Sequence, residues 1–388
     1  MGRESAKSPV RSVGVEEELL LIDAVSARPV AVAGSIMSLQ DAVAVPPGTA
    51  SFDARIPSTL QFEVKQEQIE VISRPVHTLA ELASAIRAGR KRSDAAAGLF
   101  GARTVAMATA IEPLATCLVP VPRYEAMESQ FGMTMRHQLS CGFHVHVGIE
   151  SAEEGIAVLD RIRVWLPVLL ALSANSPFWE GEDTGYASYR YQAWMRWPTT
   201  GPNEIFGSEA QYRATVEDLL RTGVPLDEGM MYFDARLSRH HPTIETRIAD
   251  VCLDGEHAAV IAALVRGLVE TAAREWRARK APVPASVLQL RLASWRASKS
   301  GTEGDLIDPL SETPMPARVV VRALLEHVAP VLGELGEESE VARIVDDILT
   351  NGTGARRQRE TFASTGSASA VIKDAVGRTH LAPSGVTA

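Results

Sequence analysis

The 388-residue sequence has three cysteines, Cys117, Cys141 and Cys252, an odd count far too small for a disulfide framework. Their scarcity fits a reducing compartment, with small buried thiols as their ordinary role. Positive charge is also in deficit. Thirty-nine Lys+Arg face 48 Asp+Glu, a formal net charge of −9, so no surplus exists to neutralise nucleic-acid phosphates. No apolar run approaches a bilayer span; the longest, residues 164–174, is about half of one and contains Pro167. The opening MGRESAKSPV lacks the apolar segment of a signal peptide. These absences lead to the expectation of a cytoplasmic protein that takes neither nucleic acid nor membrane as a partner. The common nucleotide cradles are missing too, since there is no GxxxxGK[ST] loop and no GxGxxG after a strand. Any phosphate binding would therefore rest on divalent cations and arginines.

What is present reads as one large α+β domain over residues 13–362, with a flexible start (1–12) and a polar C-terminal tail (363–388). Apolar and charged fractions of 46% and 22% are those of a globular chain. Strands are expected at 13–23, at 60–73 with a bulge near Gln66, and at 104–109, 141–149, 231–235 and 243–251. A loop around Pro46, Pro47 and Gly48 separates the first two. Helices are expected at 79–99, 152–174 and 208–221, then in series at 255–280, 286–297, 316–333 and 339–350. Residues 175–206 read as one long loop. Seven of the 21 aromatic residues fall between Phe178 and Trp197 in that loop. So dense a group suits a lid or substrate wall, or an Ω-loop packed on its own rings. Tyr189, Arg190 and Tyr191 in it suit recognition of a carboxylate.

Four of the strands carry polar residues at alternate positions inside apolar sequence. Glu16 and Glu18 share one face of the first, with Glu17 on the other. Gln66, Gln68 and Glu70 repeat the pattern on the second, with Glu63 and Glu67 close by. His144 and His146 do so on the third, and Glu245 and Arg247 on the fourth. Neighbouring carboxylates repel unless a cation sits between them or water covers them, so an exposed strand face is the alternative reading. If these strands pair, one sheet face becomes a basin of Glu, His, Gln and Arg. Such an oxygen-rich set with imidazoles suits Mg²⁺ or Mn²⁺ better than structural zinc. Arg247 and the cluster Arg356, Arg357 and Arg359 have the forked geometry for phosphoryl oxygens, although a C-terminal basic cluster is as often a solvated patch.

The segments VGVEEE, QIEVIS, CGFHVHVGI, DTGYASYR, HPTIETRIAD and ARRQR, in this order, resemble the carboxylate–amine ligase family, the bacterial type 2 glutamate–cysteine ligases. That resemblance implies a glutamine-synthetase-like catalytic fold, a mainly antiparallel sheet with a polar active-site face and helices on the other. It also implies ATP with Mg²⁺ or Mn²⁺, a small-molecule carboxylate (glutamate or similar) and an amine (cysteine or other) as partners, with a homodimer allowed. In that scheme Glu16, Glu18, Glu70, His146 and Glu245 are metal ligands, and His144 contacts phosphate or substrate. Arg247, Arg357 and Arg359 neutralise transferring phosphate, Arg356 joins them on the nucleotide, and Arg190, Tyr189 and Gln68 bind substrate. Ser73, Arg74 and Pro75 depart from the family's usual Thr before proline, at a place where substrate choice would differ. Two alternatives use the same basin: a guanidino-type phosphotransferase, and a non-catalytic metal- or nucleotide-binding protein.

Overall fold

The computed structural model describes residues 10–43 and 58–381. The loop expected around Pro46, Pro47 and Gly48, most of the flexible start and the last seven residues lie outside the described residues.

Strand β1 (Val13–Asp23) is the axis of a seven-stranded sheet. On one side of it β2 (Ser58–Phe62) and β3 (Gln68–Ser73) form a hairpin. Its C-terminal half pairs with β4 (Ala102–Val105) and its N-terminal half with β5 (Gly142–Gly148). Two short strands, β6 (Phe178–Trp179) and β7 (Glu182–Asp183), make a separate hairpin. Then β8 (Ala235–Leu237) and β9 (Thr243–Asp250) complete the order β2-β3-β1-β5-β9-β8, all antiparallel. A last hairpin joins β10 (Asp305–Ile307) and β11 (Pro314–Pro316).

The period of two sorts the sheet. Val13 and Val15 of β1, Phe143, Val145 and Val147 of β5 and Ile244 and Ile248 of β9 enter one apolar cluster. They pack on Leu82 and Ile86 of helix Leu79–Gly98 and on helix Gly255–Arg277, which is buried along most of its length. Thr78 starts the first of these helices with a reciprocal capping box to Glu81. The opposite face of the sheet is left to Glu16, Glu18, His144, His146, Glu245 and Arg247.

Several expected elements are rearranged. The single strand over 60–73 is two strands, because residues 63–67 leave the sheet to pair elsewhere: Gln66 N donates to Cys117 O and Val119 N to Val64 O. The helix expected over 152–174 is broken into Ala152–Ile162 and Leu166–Ser173, with Pro167 in the first turn of the second, where its missing N–H costs nothing. The strand expected at 231–235 follows a one-turn helix (Glu228–Met230) and sits at β8 instead. The long loop holds β6, β7 and helix Tyr189–Trp194. The C-terminal stretch is not a polar tail over its described part. Helix Ala368–Thr379 buries Val371, Ile372, Ala375 and Val376 against the Leu20–Val105 side of the sheet. That spacing is an apolar stripe, which the surrounding Gly, Ser and Thr obscured. No helix among the described residues is long and apolar enough to cross a membrane.

Candidate active site

Register brings the acidic and imidazole residues together. Glu18 pairs with Glu70 across β1 and β3, Glu16 with His144 across β1 and β5, and His146 with Glu245 across β5 and β9. Three sets result, each with ligand atoms within 4.8 Å of one another: Glu16, His146 and Glu245; Glu16, Glu70 and His144; and Glu18, Glu63 and Glu70. Glu16 lies 3.1 Å from His144 Nδ1 and 3.2 Å from His146 Nε2, and Glu18 lies 3.5 Å from His144 Nε2. The Gly142 N–H donates to Glu18 Oε2 at 2.6 Å and orients it. His146 Nδ1 sits 3.0 Å from Thr243 Oγ1, which leaves Nε2 facing the carboxylates.

The electrostatics divide these carboxylates. Burial pushes the Glu63 carboxyl up to about 8, with the Glu18 charge adding to it. Burial also raises Glu70 well above the usual range, where Glu16 and Glu63 reinforce the effect. Burial alone would raise Glu16 and Glu245 as well. Hydrogen bonds from His144 and His146 outweigh it at Glu16, and the charges of Arg247 and Arg236 outweigh it at Glu245, so both stay well below the ordinary carboxylate range. His144 is lowered by burial and by Arg247, whereas Glu16 raises His146 against its burial. Crowded carboxylates that hold protons are what a cation-binding cluster looks like without its counter-charge. The Nε2 atoms of His144 and His146, both buried, have carboxylates beside them, Glu18 at 3.5 Å and Glu16 at 3.2 Å. Oxygen donors, with one imidazole in each of two sets and none in the third, fit Mg²⁺ or Mn²⁺.

Two arginines serve this basin. Arg247 bonds Glu245 and lies 3.5 Å from His144 Nδ1. Arg236 grips the same carboxylate with a fork at 2.8 and 3.1 Å. Arg190 is buried beside the start of β5, with Nε unpaired and Nη1 only 3.8 Å from Asp250. A methyl group at Gly142 would overlap its Nη2 and lie 3.3 Å from His144 Nε2, so the guanidinium reaches the edge of the basin through the gap that a glycine leaves. Asp250, which backs Arg190, is held by Asn175 N, Ser176 Oγ and Ser188 Oγ.

Other expected residues are placed elsewhere. Gln68 lies on the basin face but is buried and donates to Ser140 O at 2.7 Å, which ties β3 to the segment entering β5. The Tyr189 ring packs against Trp179 and Tyr186 in an aromatic row. Arg356, Arg357 and Arg359 do not meet the basin. Helix Gly354–Thr365 is anchored by Gln358 to Asn175, and each arginine finds its own carboxylate: Glu360, Asp374 and Asp183 respectively.

Sequence reasoning left Glu63 in a strand and passed over Arg236. Glu63 joins the basin only because the chain turns there, and Arg236 only because β8 pairs with β9 opposite Glu245. Of the wall built from Tyr124, Phe131, Trp194, Trp197, Met230 and Tyr232, only Trp194 and Trp197 belong to the aromatic segment that the sequence marked. Burial and the nearby Glu63 push the Tyr124 phenol up to about 12, so this wall borders the acidic end. At the other end a cleft of about 370 Å³ lies along β8 and β9, lined by Tyr212, Val216, Met231, Leu237 and Arg236.

An antiparallel sheet with helices behind it and a metal-competent carboxylate–histidine face in front is the glutamine-synthetase-like fold. Solved structures share it. A bifunctional glutathione synthetase from Pasteurella multocida superposes with a TM-score of 0.67 at 16% identity, over 95% of this chain and 52% of that one. A glutamate–cysteine ligase from Francisella tularensis, solved with AMP, gives 0.63 at 12% identity, over 95% and 88%. These likenesses are of fold. At sequence level, the family model of glutamate–cysteine ligase family 2 matches residues 12–376. A protein of Paenarthrobacter aurescens (strain TC1), provisionally named glutamate–cysteine ligase 2-1, is 52% identical over 96% of this chain and 95% of its own length. One from Streptomyces coelicolor, provisionally named glutamate–cysteine ligase 2, is 45% identical over 96% and 100%. The chain belongs to glutamate–cysteine ligase family 2.

Proposed function

We propose that this protein is an ATP-dependent carboxylate–amine ligase that couples the γ-carboxylate of glutamate, or of a similar acid, to the amine of cysteine or another acceptor. The observation that carries this reading is the paired metal-competent basin, with Glu16, His146 and Glu245 on one side and Glu18, Glu63 and Glu70 on the other. Bound divalent cations would supply charge neutralisation to a polyphosphate there. The cleft along β8 and β9 mixes apolar residues such as Val216 and Leu237 with Arg213, Arg239 and His241, and Arg236 in its lining bonds Glu245, which suits a nucleoside whose phosphates run toward Glu245. The AMP of the Francisella ligase supports an adenine nucleotide.

Arg247 lies between Glu245 and His144 and would meet the transferring phosphoryl group, whose negative charge its fork stabilises. Arg190 would hold the acid substrate through a carboxylate. Its buried, under-bonded guanidinium gains most from a charged partner. A carboxylate oxygen of the substrate attacks the γ-phosphorus and ADP leaves. The amine nitrogen then attacks the acyl carbon, phosphate departs and the nitrogen loses a proton. Catalysis is mostly positioning and charge compensation.

The test is an ADP- and phosphate-release screen that crosses glutamate and other acids with a panel of amines, in the presence of Mg²⁺ or Mn²⁺. A ligase releases both products only when acid and amine are present together. A stable N-phosphorylated product without free phosphate would indicate a phosphotransferase instead. Turnover that survives both Glu16→Gln and Glu245→Gln would overturn the assignment of the basin.

A further inference from the structure

We infer that helix Gly354–Thr365 is a clamp that positions Arg190 from outside the basin, with Gln358 and Arg359 as its two grips. The inference rests on the ligase reading for what Arg190 holds, the carboxylate of the acid substrate. Arg190 stands at the end of a segment that leaves Ala174, runs through the β6–β7 hairpin and closes on itself. Ser176 N donates to Ala187 O, and Tyr189 N donates to Ser176 O. Ser176 Oγ accepts the Arg190 N–H at 2.9 Å and donates to Asp250 at 2.7 Å, so one residue ties the Arg190 backbone to the carboxylate behind its guanidinium. The next residue back is the first grip. Gln358 is buried and spends both amide hydrogens on Asn175, on its O at 2.9 Å and its Oδ1 at 2.7 Å. Asn175 passes the constraint on, since its N–H donates to Asp250 and its side-chain amide to the carbonyls of Ala106 and Val251. A methyl group at Gly354 would overlap Asn175 Oδ1, so the helix approaches this closely only because a glycine starts it.

The second grip holds the hairpin and the approach to Arg190. Arg359 forks onto Asp183 at 2.8 and 2.6 Å and donates to Tyr186 O at 2.9 Å, four residues before Arg190. Those hydrogen bonds, more than the charge of nearby Lys299, hold the Asp183 carboxyl below its ordinary range. Phe362, one turn further on, meets the Phe178 ring at 5.3 Å. A clamp must itself be fixed, and Arg357 does this with a fork onto Asp374 at 3.0 Å. Asp374 belongs to helix Ala368–Thr379, whose apolar stripe is buried against the sheet. Successive residues of an α-helix point about 100° apart, so Arg357, Gln358 and Arg359 reach three different neighbours. Arg356 is not part of the clamp; it faces Glu360 and Glu303. The Arg190 guanidinium has few bonds of its own to aim it, with Nε unpaired and Asp250 at 3.8 Å. Its direction therefore depends on the frame that this helix braces from both sides.

Amide hydrogen exchange and steady-state kinetics on the full chain test this with Arg359→Ala, Arg359→Lys and Gln358→Met. Arg359 and Asp183 are both partly exposed, so Arg359→Ala leaves the fold intact even where the buried Gln358→Met does not. Exchange at Ala187, Tyr189 and Arg190 is expected to quicken about ten-fold in Arg359→Ala and Gln358→Met, with helix Gly255–Arg277 unchanged. KM for the acid substrate is expected to rise about ten-fold while kcat and the KM for ATP stay within about two-fold. Arg359→Lys keeps a cation on Asp183 without the fork and should recover part of both effects. Unchanged exchange over residues 175–190 in Arg359→Ala would overturn the clamp, whatever the protein catalyses. Faster exchange with an unchanged KM for the acid, or a fall in kcat alone, would overturn the positioning of Arg190. If the parent releases ADP and phosphate with no pair of acid and amine, the ligase reading fails and the exchange result alone decides the clamp.

Discussion

Replacing Arg90 by Met is expected to be among the most damaging single changes away from the basin. Arg90 and Glu17 are each 1% exposed, on opposite sides of the contact between helix Leu79–Gly98 and β1. All five guanidinium N–H groups are used: the fork onto Glu17 at 2.7 and 3.1 Å, and the carbonyls of Cys252 (2.6 Å), Leu253 (2.9 Å) and Thr379 (3.3 Å). One side chain therefore joins β1, the turn after β9 and the last helix. Arg90→Met strands a buried carboxylate, a loss of about 3–5 kcal/mol. The three orphaned carbonyls put the expected cost near the upper end, a large share of a typical 5–15 kcal/mol stability. Glu17→Leu should cost about 3 kcal/mol by leaving the cation buried alone. The double variant removes both charges and should recover at least about 3 kcal/mol of the summed loss, since a buried ion pair contributes little net once neither partner is left alone. Equilibrium urea unfolding of the four proteins measures this. Single costs under about 1 kcal/mol, or a double variant equal to the sum, would refute the reasoning.

Other outcomes follow from the same geometry. Gly142→Ala pushes the Arg190 guanidinium aside, since a Cβ there would lie 3.0 Å from its Cζ. Under the ligase reading, KM for the acid substrate should rise about ten-fold with a smaller change in kcat, and unchanged kinetics would remove Arg190 from recognition. Burial raises the Asp234 carboxyl to about 7, against hydrogen bonding from Tyr191. A carboxyl raised from 3.8 in the unfolded chain stabilises the fold fully only below that value and loses the contribution as pH climbs through 7. Asp234→Asn keeps an acceptor for Tyr191 and should therefore gain stability over the parent by pH 8, by at most about 4 kcal/mol in chemical denaturation. An identical pH slope for the two proteins would contradict this. Mn²⁺ or Mg²⁺ should raise the melting temperature, the gain corresponding to about 2.7 kcal/mol at a hundred-fold excess over Kd. Glu70→Gln should raise the metal-free melting temperature by relieving repulsion and shrink the metal-dependent gain, as read by thermal melts with and without chelator.

The basin was legible where chemistry repeats locally at the period of a strand. Glu16 and Glu18, His144 and His146, and Glu245 and Arg247 each announce a shared face by their i, i+2 spacing, and all six meet as that spacing requires. Residues whose role depends on where the chain turns were not legible. Glu63 looked like one more strand position until the chain reversed after Phe62. Arg357 and Arg359 looked free until Asp374 and Asp183 met them. Spacing along a chain carries no information about which carboxylate from a distant segment will stand opposite a given arginine.

The sequence by itself determined the class of the molecule: an α+β chain, acidic on its strands, with motifs dense enough to mark its family. Composition and local periodicity are short-range properties, and these conclusions need nothing longer. Tertiary structure alone decided which groups share a site and which are neutralised elsewhere. It enlisted Glu63 and Arg236, tied Gln68 to the segment entering β5 and packed part of the expected tail as a core helix. Each of these outcomes depends on strand register and on the burial of partners far apart in sequence, and these exist only once the sheet has assembled.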